Sequence, residues 1–375
     1  MKTSVVEDVS AVIEARKNRE QLEPKLARHQ DTNTKDCVWP ILDDRCLTEL
    51  LGFDAARAVT NVLADVLVRP VTDVTSNPGK RIRAQLVAFS YRLLTGDRPL
   101  SHAAMKRYRS CAEAIELIHA GSLIVDDIED GSAVRRRRPA LHCVYGMPLA
   151  LNAGNWLYFW PAELLKKTGL SEDDLLLVYE HYHRTLLRAH FGQALDLGAR
   201  VDTLAQDAVT EVCLASMRLK TGALMGFAAL LGATLADASE RLLSSIEQFG
   251  RDLGVALQMF DDLGNAIGKC EPSKRYEDLT LSRPSWLWAC AAQNSSPADY
   301  REFIAAARKL PDAADLESWM QNHDLVEQTR RSARAHLDLS FENLENRLIA
   351  EHVRWSPQVL DELNTLGEEI AAVYG

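Results

Sequence analysis

Apolar residues recur every three or four positions along most of the chain. One such stripe contains Ile246, Phe249, Leu253, Ala256 and Phe260. This spacing places side chains on one face of an α-helix. Alternating apolar and polar runs bounded by Gly or Pro, which are typical of β-strands, are hard to find. The pattern therefore predicts an all-α fold, built as a single-domain helical bundle.

The longest apolar stretch covers residues 223–236, a run of 14 residues. That is too short for a helix that crosses a bilayer, so the pattern predicts a buried helix and no membrane span. Residues 1–45 are polar and charge-rich, and we interpret them as an N-terminal extension. The helical core is expected to cover residues 46–290, with residues 291–375 forming C-terminal helices that pack on it.

The composition excludes some classes of partner and location. The formal net charge is −10, and an acidic chain lacks the basic surface that binds a phosphate backbone, so nucleic acid is not an expected partner. The cysteines number seven, and none forms a CxxC pair. Together with the lack of an apolar signal segment at the N-terminus, this indicates a reduced chain in the cytoplasm.

The sharpest local feature is the acidic run at residues 126–130, Asp-Asp-Ile-Glu-Asp. Asp126 and Asp130 are four residues apart, so a helix places them on one face with Cβ atoms roughly 6 Å apart. Two such carboxylates suit a hard cation such as Mg²⁺, which prefers oxygen ligands and keeps substrate phosphates as partners. An isolated motif of this kind is more often a solvated helix end. Here it follows an apolar run, residues 114–125, which favours the mouth of a buried pocket.

A second acidic pair, Asp261 and Asp262, ends another apolar helix. Gln258 precedes it by about one turn and Asn265 follows it by about one turn. If the two helices face each other, both pairs of carboxylates converge on one metal cluster.

Basic residues accompany these acids: four arginines occupy residues 135–138, and residues 79–83 read Gly-Lys-Arg-Ile-Arg. Arginine forks and lysine charges bind phosphate oxygens, so the set predicts a diphosphate–Mg²⁺ site.

Other chemistries do not match the sequence. Residues 264–269, Gly-Asn-Ala-Ile-Gly-Lys, have one residue too few between the glycines for a P-loop, and Cys270 stands where Ser or Thr is required. His181 and His183 are two residues apart and do not share a helix face, and HExxH is absent. A zinc site is therefore not expected.

In order along the chain, these segments resemble the trans-isoprenyl diphosphate synthases, or polyprenyl synthetases, over about residues 75–290. The matching segments are residues 79–83, residues 118–124, the first acidic run, residues 134–142 with Val-Arg-Arg, Pro139 and His142, residues 192–197 (Gly-Gln-Ala-Leu-Asp-Leu), and Lys220-Thr221 with residues 258–262. Residues 145–158 look most like the geranylgeranyl diphosphate synthase branch. The resemblance implies a helical bundle of the isoprenoid synthase type, with the catalytic core at residues 46–290, and a homodimer.

The resemblance also implies roles for individual residues. Asp126 and Asp130 would hold two Mg²⁺ ions and Asp261 a third, all bridging the allylic diphosphate. The same diphosphate would be bound by Arg135, Lys220 and Lys274. Isopentenyl diphosphate would be bound by Lys80, Arg83, His119 and Arg136. Gln258 and the hydroxyl group of Thr221 would face the allylic cation. The implied reaction is the condensation of the two diphosphates into a longer trans-prenyl diphosphate.

Departures from the family pattern leave an alternative open. Asn265 stands where the second motif normally ends in Asp, and Arg137 stands where Gly is usual. The first departure allows a class I terpene cyclase on the same fold, with an aromatic group at residues 156–160 lining its cavity. The complete set of residues for isopentenyl diphosphate favours the synthase. A product of twenty carbons is expected, because Gly121 would leave space in a tunnel below the metals.

Overall fold

The computed structural model describes residues 49–77, 79–96, 101–269 and 275–374 of the chain. The described residues form helices joined by short connections, with one two-stranded β-hairpin, so the predicted all-α class is confirmed. The proposed extension at residues 1–45 and the predicted substrate residue Lys274 lie outside the described residues. The domain boundaries at residues 46, 290 and 291 stay a prediction.

The α-helices are numbered here in chain order, and their bounds are α1 (Arg57–Leu63), α2 (Arg69–Thr75), α3 (Ile82–Thr95), α4 (His102–Glu129), α5 (Leu141–Tyr145), α6 (Met147–Trp156), α7 (Trp160–Lys166), α8 (Glu172–Gly198), α9 (Gln206–Met217), α10 (Ala223–Leu235), α11 (Glu240–Ile267), α12 (Glu277–Thr280), α13 (Trp286–Asn294), α14 (Pro297–Ala307), α15 (Ala314–Asn322), α16 (Leu325–Ala350) and α17 (Pro357–Tyr374). Two π-helical turns, Ala64–Val68 and Arg218–Gly222, join α1 to α2 and α9 to α10. The strands are β1 (Val134–Arg135) and β2 (Arg138–Pro139), and Val201–Thr203 form a 3₁₀ turn.

By their contacts, the residues form two compact units. Of the described residues, the first unit comprises residues 49–77, 79–82 and 109–169. Its core joins Leu117 and Ile124 of α4 to Ala150 and Ala153 of α6. Helices α4 and α6 approach closely at a glycine, because a Cβ atom added at Gly121 would lie 2.8 Å from the carbonyl oxygen of Gly154.

Of the described residues, the second unit comprises residues 83–96, 101–108, 170–269 and 275–374. Its centre is α10, in which every residue from Ala223 to Thr234 is buried, so the prediction of a buried helix is confirmed. The continuous helical stretch Gln206–Leu235 is long and apolar enough to cross a membrane, but 67% of its most apolar window is buried in this unit. Its length and hydropathy are therefore accounted for by packing in a protein core.

Helix α11 carries the second acidic pair and has well-defined ends. Ser239 caps its N-terminus, where the hydroxyl oxygen accepts a hydrogen bond of 3.4 Å from Leu242 N. Gly268 ends it in the left-handed region at φ 72°, and its N–H donates to the carbonyl oxygen of Asn265. This stop places Asp261 and Asp262 within the last two turns of the helix.

Candidate active site

The first acidic motif lies at the C-terminal end of α4. Gly131, with φ 64°, turns the chain out of the helix, and Ser132 N donates a 2.9 Å hydrogen bond to the carbonyl oxygen of Asp127. Such a capped end leads the chain directly into the β1–β2 hairpin and brings Arg135 back to the acids. We call Asp126, Asp127, Asp130, Arg135 and Arg136 the first cluster.

Arg135 is held mainly by Asp127. Its Nε donates a 2.8 Å hydrogen bond to Asp127 Oδ1, and its Nη2 lies 3.4 Å from Asp126 Oδ2. Burial alone would lower the pKa of Arg135, but the bond to Asp127 and the charges of Asp126 and Asp130 raise it. The Asp127 side chain is 4% exposed and that of Asp126 is 20% exposed. Asp127 therefore positions Arg135, and Asp126 is the more accessible carboxylate.

Arg136 packs against the segment that begins at Gly79. Its Nη1 donates a 2.8 Å hydrogen bond to the carbonyl oxygen of Asn77, and a Cβ atom at Gly79 would lie 2.6 Å from its Nη2. Gly79 therefore leaves the room that this guanidinium occupies. Burial lowers the pKa of Arg136; the charge of Arg135 acts in the same direction, and that of Glu116 opposes it. The structure thus joins two sequence segments that were predicted to bind isopentenyl diphosphate.

The other residues predicted for isopentenyl diphosphate are divided between the units. Lys80 and His119 lie in the first unit together with Arg136, and Arg83 belongs to the second. Lys80 is exposed, and Arg83 and His119 are half-buried. Arg81 lies between Lys80 and Arg83 in the sequence and forms a 3.0 Å ion pair with Glu113.

A second cluster lies in the second unit. It consists of Asp196 on α8, Lys220 and Thr221 in the π-helical turn, Gln258, Asp261 and Asp262 on α11, and Asp278 on α12. Lys220 Nζ donates a 2.7 Å bond to Asp196 Oδ2, and Thr221 Oγ1 donates a 2.7 Å bond to Gln258 Oε1. The structure therefore brings together the predicted residues Lys220, Thr221 and Gln258 with the second acidic pair.

Asp262 is held from two sides. Gln258 Nε2 donates a 2.8 Å bond to its Oδ1, and Trp286 N donates a 2.7 Å bond to its Oδ2. Asp262 is 7% exposed, whereas Asp261 is exposed. Asp262 thus orients Gln258, and Asp261 is the carboxylate of this pair that is open to a ligand.

The π-helical turn Arg218–Gly222 interrupts the helical stretch that carries Lys220 and Thr221. α8 approaches this turn very closely, because a Cβ atom at Gly192 would lie 2.5 Å from Lys220 N and 2.8 Å from the carbonyl carbon of Leu219. Single π-helical turns occur frequently at functional sites. Gly192 is therefore the residue that allows the turn to lie against α8, where Lys220 reaches Asp196.

Acidic side chains crowd the second cluster. Burial together with the charges of Asp196 and Asp261 raises the pKa of Asp278 to about 7. Burial, followed by the charge of Asp278, raises the pKa of Asp262, although its bonds from Gln258 and Trp286 N oppose this rise. Sequence reasoning gave no role to Asp196 and did not notice Asp278. Asp196 stands in one of the matching segments, but no pattern near Asp278 indicated that it would join this cluster.

Carboxylate oxygens are the donors in both clusters, and this donor set fits Mg²⁺. Within the described parts of the chain, no three potential ligand side chains form a complete metal cage. Mg²⁺ usually keeps several waters and is bound through one or two carboxylates plus substrate phosphates. The residues present therefore fit an ion whose remaining ligands come from a diphosphate.

The aromatic group at residues 156–160 is largely part of the core. Trp156 and Trp160 stack with ring centroids 4.8 Å apart, and Trp160, at 3% exposure, belongs to the core of the first unit. Phe159, in contrast, is 71% exposed. Since the two tryptophans pack on each other within the core, they do not support the cyclase cavity considered from the sequence.

Comparisons with known proteins agree on one group. A family model described as polyprenyl synthetase matches residues 64–322. The chain is 32% identical over 308 residues to the short chain isoprenyl diphosphate synthase of Methanothermobacter thermautotrophicus, covering 80% of this chain and 90% of that protein. It is 31% identical over 255 residues to the geranylgeranyl pyrophosphate synthase of Eremothecium gossypii, covering 65% of this chain and 76% of that protein.

A solved structure shows the same fold. The geranylgeranyl pyrophosphate synthase of Corynebacterium glutamicum, in complex with isoprenyl diphosphate and magnesium, aligns with a TM-score of 0.68. The sequences are 22% identical, and the alignment covers 87% of this chain and 94% of the other. Both clusters lie entirely within the range of the family match.

Proposed function

The chain belongs to the polyprenyl synthetase family, and we propose from this membership how its two clusters divide the work on two diphosphates. The protein is a trans-isoprenyl diphosphate synthase, a prenyltransferase that condenses an allylic diphosphate with isopentenyl diphosphate. Its relatives are named mainly for geranylgeranyl diphosphate, and a twenty-carbon product follows for this chain. One observation supports the proposal most directly: the neighbouring residues Arg135 and Arg136 have different surroundings. Arg135 is bound to the carboxylate of Asp127, whereas Arg136 is bound to the backbone beside Gly79.

The enzyme depends on Mg²⁺, as is typical of the family. Asp126 and Asp130 of the first cluster would hold two ions, and Asp261 of the second would hold a third. The accessibility of Asp126 and Asp261 relative to their buried neighbours supports this assignment. Arg135, Lys220 and Lys274 bind the allylic diphosphate. Isopentenyl diphosphate is bound by Lys80, Arg83, His119 and Arg136.

When bound, Mg²⁺ would supply positive charge that makes the allylic diphosphate a better leaving group. Arg135 and Lys220, each oriented by a carboxylate, stabilise the negative charge that develops on the departing diphosphate. Thr221 and Gln258, joined to each other by a hydrogen bond, present polar oxygens toward the allylic cation. The double bond of isopentenyl diphosphate attacks the cation, forming the new carbon–carbon bond. The released diphosphate then accepts the proton that is lost.

The cyclase alternative is not favoured by the comparisons. A cyclase that acts on one diphosphate has no use for a second set of cationic residues. The deciding experiment incubates the enzyme with Mg²⁺ and farnesyl diphosphate, with and without isopentenyl diphosphate. We expect a twenty-carbon prenyl diphosphate only when both are present, and no turnover in EDTA. Abundant cyclic terpene from farnesyl diphosphate alone, without elongation, would contradict the proposal.

A homodimer is the expected assembly. Three large apolar side chains on α8 are exposed, namely Leu176 at 61%, Leu187 at 49% and Phe191 at 65%. Their spacing of eleven and four residues places them on one helix face. An apolar face of this kind supports a contact with a second copy.

A cytoplasmic location stays a prediction that rests on the cysteines, of which Cys111, Cys143, Cys213 and Cys290 are free.

A further inference from the structure

The turn of the β1–β2 hairpin has an unusual composition for its geometry. Arg135 pairs with Arg138, which leaves Arg136 and Arg137 as the two turn residues. Their φ angles are 51° and 63°. Two-residue hairpin turns with positive φ at both central positions strongly favour Asn-Gly, Asp-Gly and Gly-Gly, because a side chain strains the left-handed backbone. Here both positions are arginines.

The strain at Arg136 has a visible compensation. Its guanidinium donates to the carbonyl oxygen of Asn77 and fills the space left by Gly79. Arg137 has no hydrogen bond or ion pair of its side chain with another described residue, and it is exposed. Strained backbone at non-glycine residues clusters at functional sites. No contact of the Arg137 side chain within the described residues therefore offsets the backbone strain at this position.

The base of the hairpin is rigid. Ala140 N donates a 2.9 Å hydrogen bond to the carbonyl oxygen of Ala133, Arg135 is bound to Asp127 and Arg136 is bound to the segment at Gly79. Arg137 therefore extends from a turn whose neighbours are fixed. The backbone from which the Arg137 side chain projects is therefore held in place, although the side chain itself is exposed.

We propose that Arg137 is an additional binding residue for the diphosphate of isopentenyl diphosphate, and that its charge is retained at the expense of backbone strain. This inference rests on the proposed function. Arg137 shares its turn with Arg136, whereas Arg135 lies among the carboxylates assigned to Mg²⁺. A diphosphate without bridging Mg²⁺ must have its charge balanced by guanidinium and ammonium groups, so a further guanidinium strengthens its binding.

The test uses the full-length enzyme and steady-state kinetics with isopentenyl diphosphate as the varied substrate. Arg137→Gly relieves the strain and removes the charge. We expect its melting temperature to rise by about 2 °C, its KM for isopentenyl diphosphate to rise about fivefold or more, and its kcat and allylic KM to stay within about twofold. Arg137→Gln should show the same rise in KM without the gain in stability, and Arg137→Lys should retain part of the binding.

Arg138→Gln is the matched control, because it removes one charge from the same hairpin at a residue with ordinary backbone geometry. Its KM should stay within about twofold of the wild-type value. An unchanged KM in Arg137→Gly, or an equal rise in Arg138→Gln, would overturn the role of Arg137. Failure of the proposed function looks different, because the wild type itself would then not elongate farnesyl diphosphate when isopentenyl diphosphate is supplied.

Discussion

At the level of single residues, the neighbours Asp126 and Asp127 have different environments. Asp127 is almost fully buried and binds Arg135, whereas Asp126 is partly accessible at the end of α4. Adjacent helical residues point about 100° apart, which is why one carboxylate faces inward and the other does not. Their identical side chains are therefore expected to serve different purposes, with Asp127 anchoring Arg135 and Asp126 being the proposed metal ligand.

Replacing Asp126 or Asp127 by asparagine should distinguish an effect on turnover from an effect on stability. Asp126→Asn should lower turnover by at least about a hundredfold, since a Mg²⁺ ligand is lost, with the melting temperature within about 2 °C of wild type. Asp127→Asn should cost about 3 kcal/mol of stability, because it removes the main charged partner of half-buried Arg135 and leaves only Asp126, at 3.4 Å. Thermal melts and initial rates measured on both variants check this. If Asp127→Asn melts like the wild type, Asp127 does not anchor Arg135.

Gly121 has a different role from the one expected from the sequence. The expectation was an open space in a product tunnel, but a Cβ atom there would lie 2.8 Å from Gly154 O and 2.9 Å from Leu157 Cβ. That expectation is therefore wrong: the glycine is required by the close packing of α4 on α6. The twenty-carbon product must be limited by other residues.

Gly121→Ala should consequently act on stability. We expect a loss of about 1–3 kcal/mol, the usual cost of overpacking, with the product remaining twenty carbons long. Gly367→Ala is the control, because a Cβ atom there would meet its nearest neighbour, Leu337, at 3.5 Å, an ordinary contact. Denaturant titration and product chromatography give the two readouts. A fully stable Gly121→Ala enzyme that releases a shorter product would restore the tunnel interpretation.

At the level of secondary-structure elements, the π-helical turn between α9 and α10 positions Lys220 and Thr221 against α8. Gly192→Ala should push Leu219 and Lys220 away from α8 and disturb the bond between Lys220 and Asp196. We expect kcat to fall about tenfold or more, because 1 Å of misplacement at a catalytic group is costly. Gly198→Ala, on the same helix with nothing within 4 Å of the added Cβ, should keep its activity. Equal kinetics of the two variants would contradict this role of Gly192.

Helices α8 and α11 are also joined by a buried acid. The Glu247 carboxylate accepts a bond from Arg251 and lies 3.4 Å from His181 Nδ1 and 3.7 Å from Arg188 Nη1. Burial would raise the pKa of Glu247, but His181 and Arg251 lower it to about 2.

A lowered pKa in the folded state means that the interaction is fully present above the unfolded pKa, near 4.5, and is lost as the pH falls toward 2. Glu247→Gln should therefore cost roughly 2 kcal/mol at neutral pH after allowance for solvent screening. The difference from wild type should shrink progressively below about pH 4.5. Urea titrations at pH 7 and pH 3 test this, and a difference that does not vary with pH would contradict it.

At the level of the whole molecule, the exposed face of α8 predicts the assembly. Sedimentation should give twice the chain mass of 41.8 kDa, because Leu176, Leu187 and Phe191 need a partner surface. Leu187→Glu places a charge in this face and should shift the mass toward the monomer. Leu339→Glu is the control, since Leu339 is similarly exposed, at 51%, but lies on α16. A wild-type monomer at micromolar concentration would contradict the dimer.

The sequence by itself determined the helical class, the two acidic motifs and the family. These features are local: helical periodicity, a pair of carboxylates four residues apart and the order of motifs are all present in the linear chain. Lys220, Thr221 and Gln258 could be predicted as site residues for the same reason. The structure places these three residues together with Asp262.

Only the tertiary structure decided which members of each motif are buried. It separated Asp127 from Asp126, added Asp196 and Asp278 to the second cluster, and placed Gly121 in a helix contact. Burial and the distance between helices depend on how remote segments pack, and no local pattern encodes them. The positive φ angles of Arg136 and Arg137 became visible in the same way, because turn geometry follows from the pairing of Arg135 with Arg138.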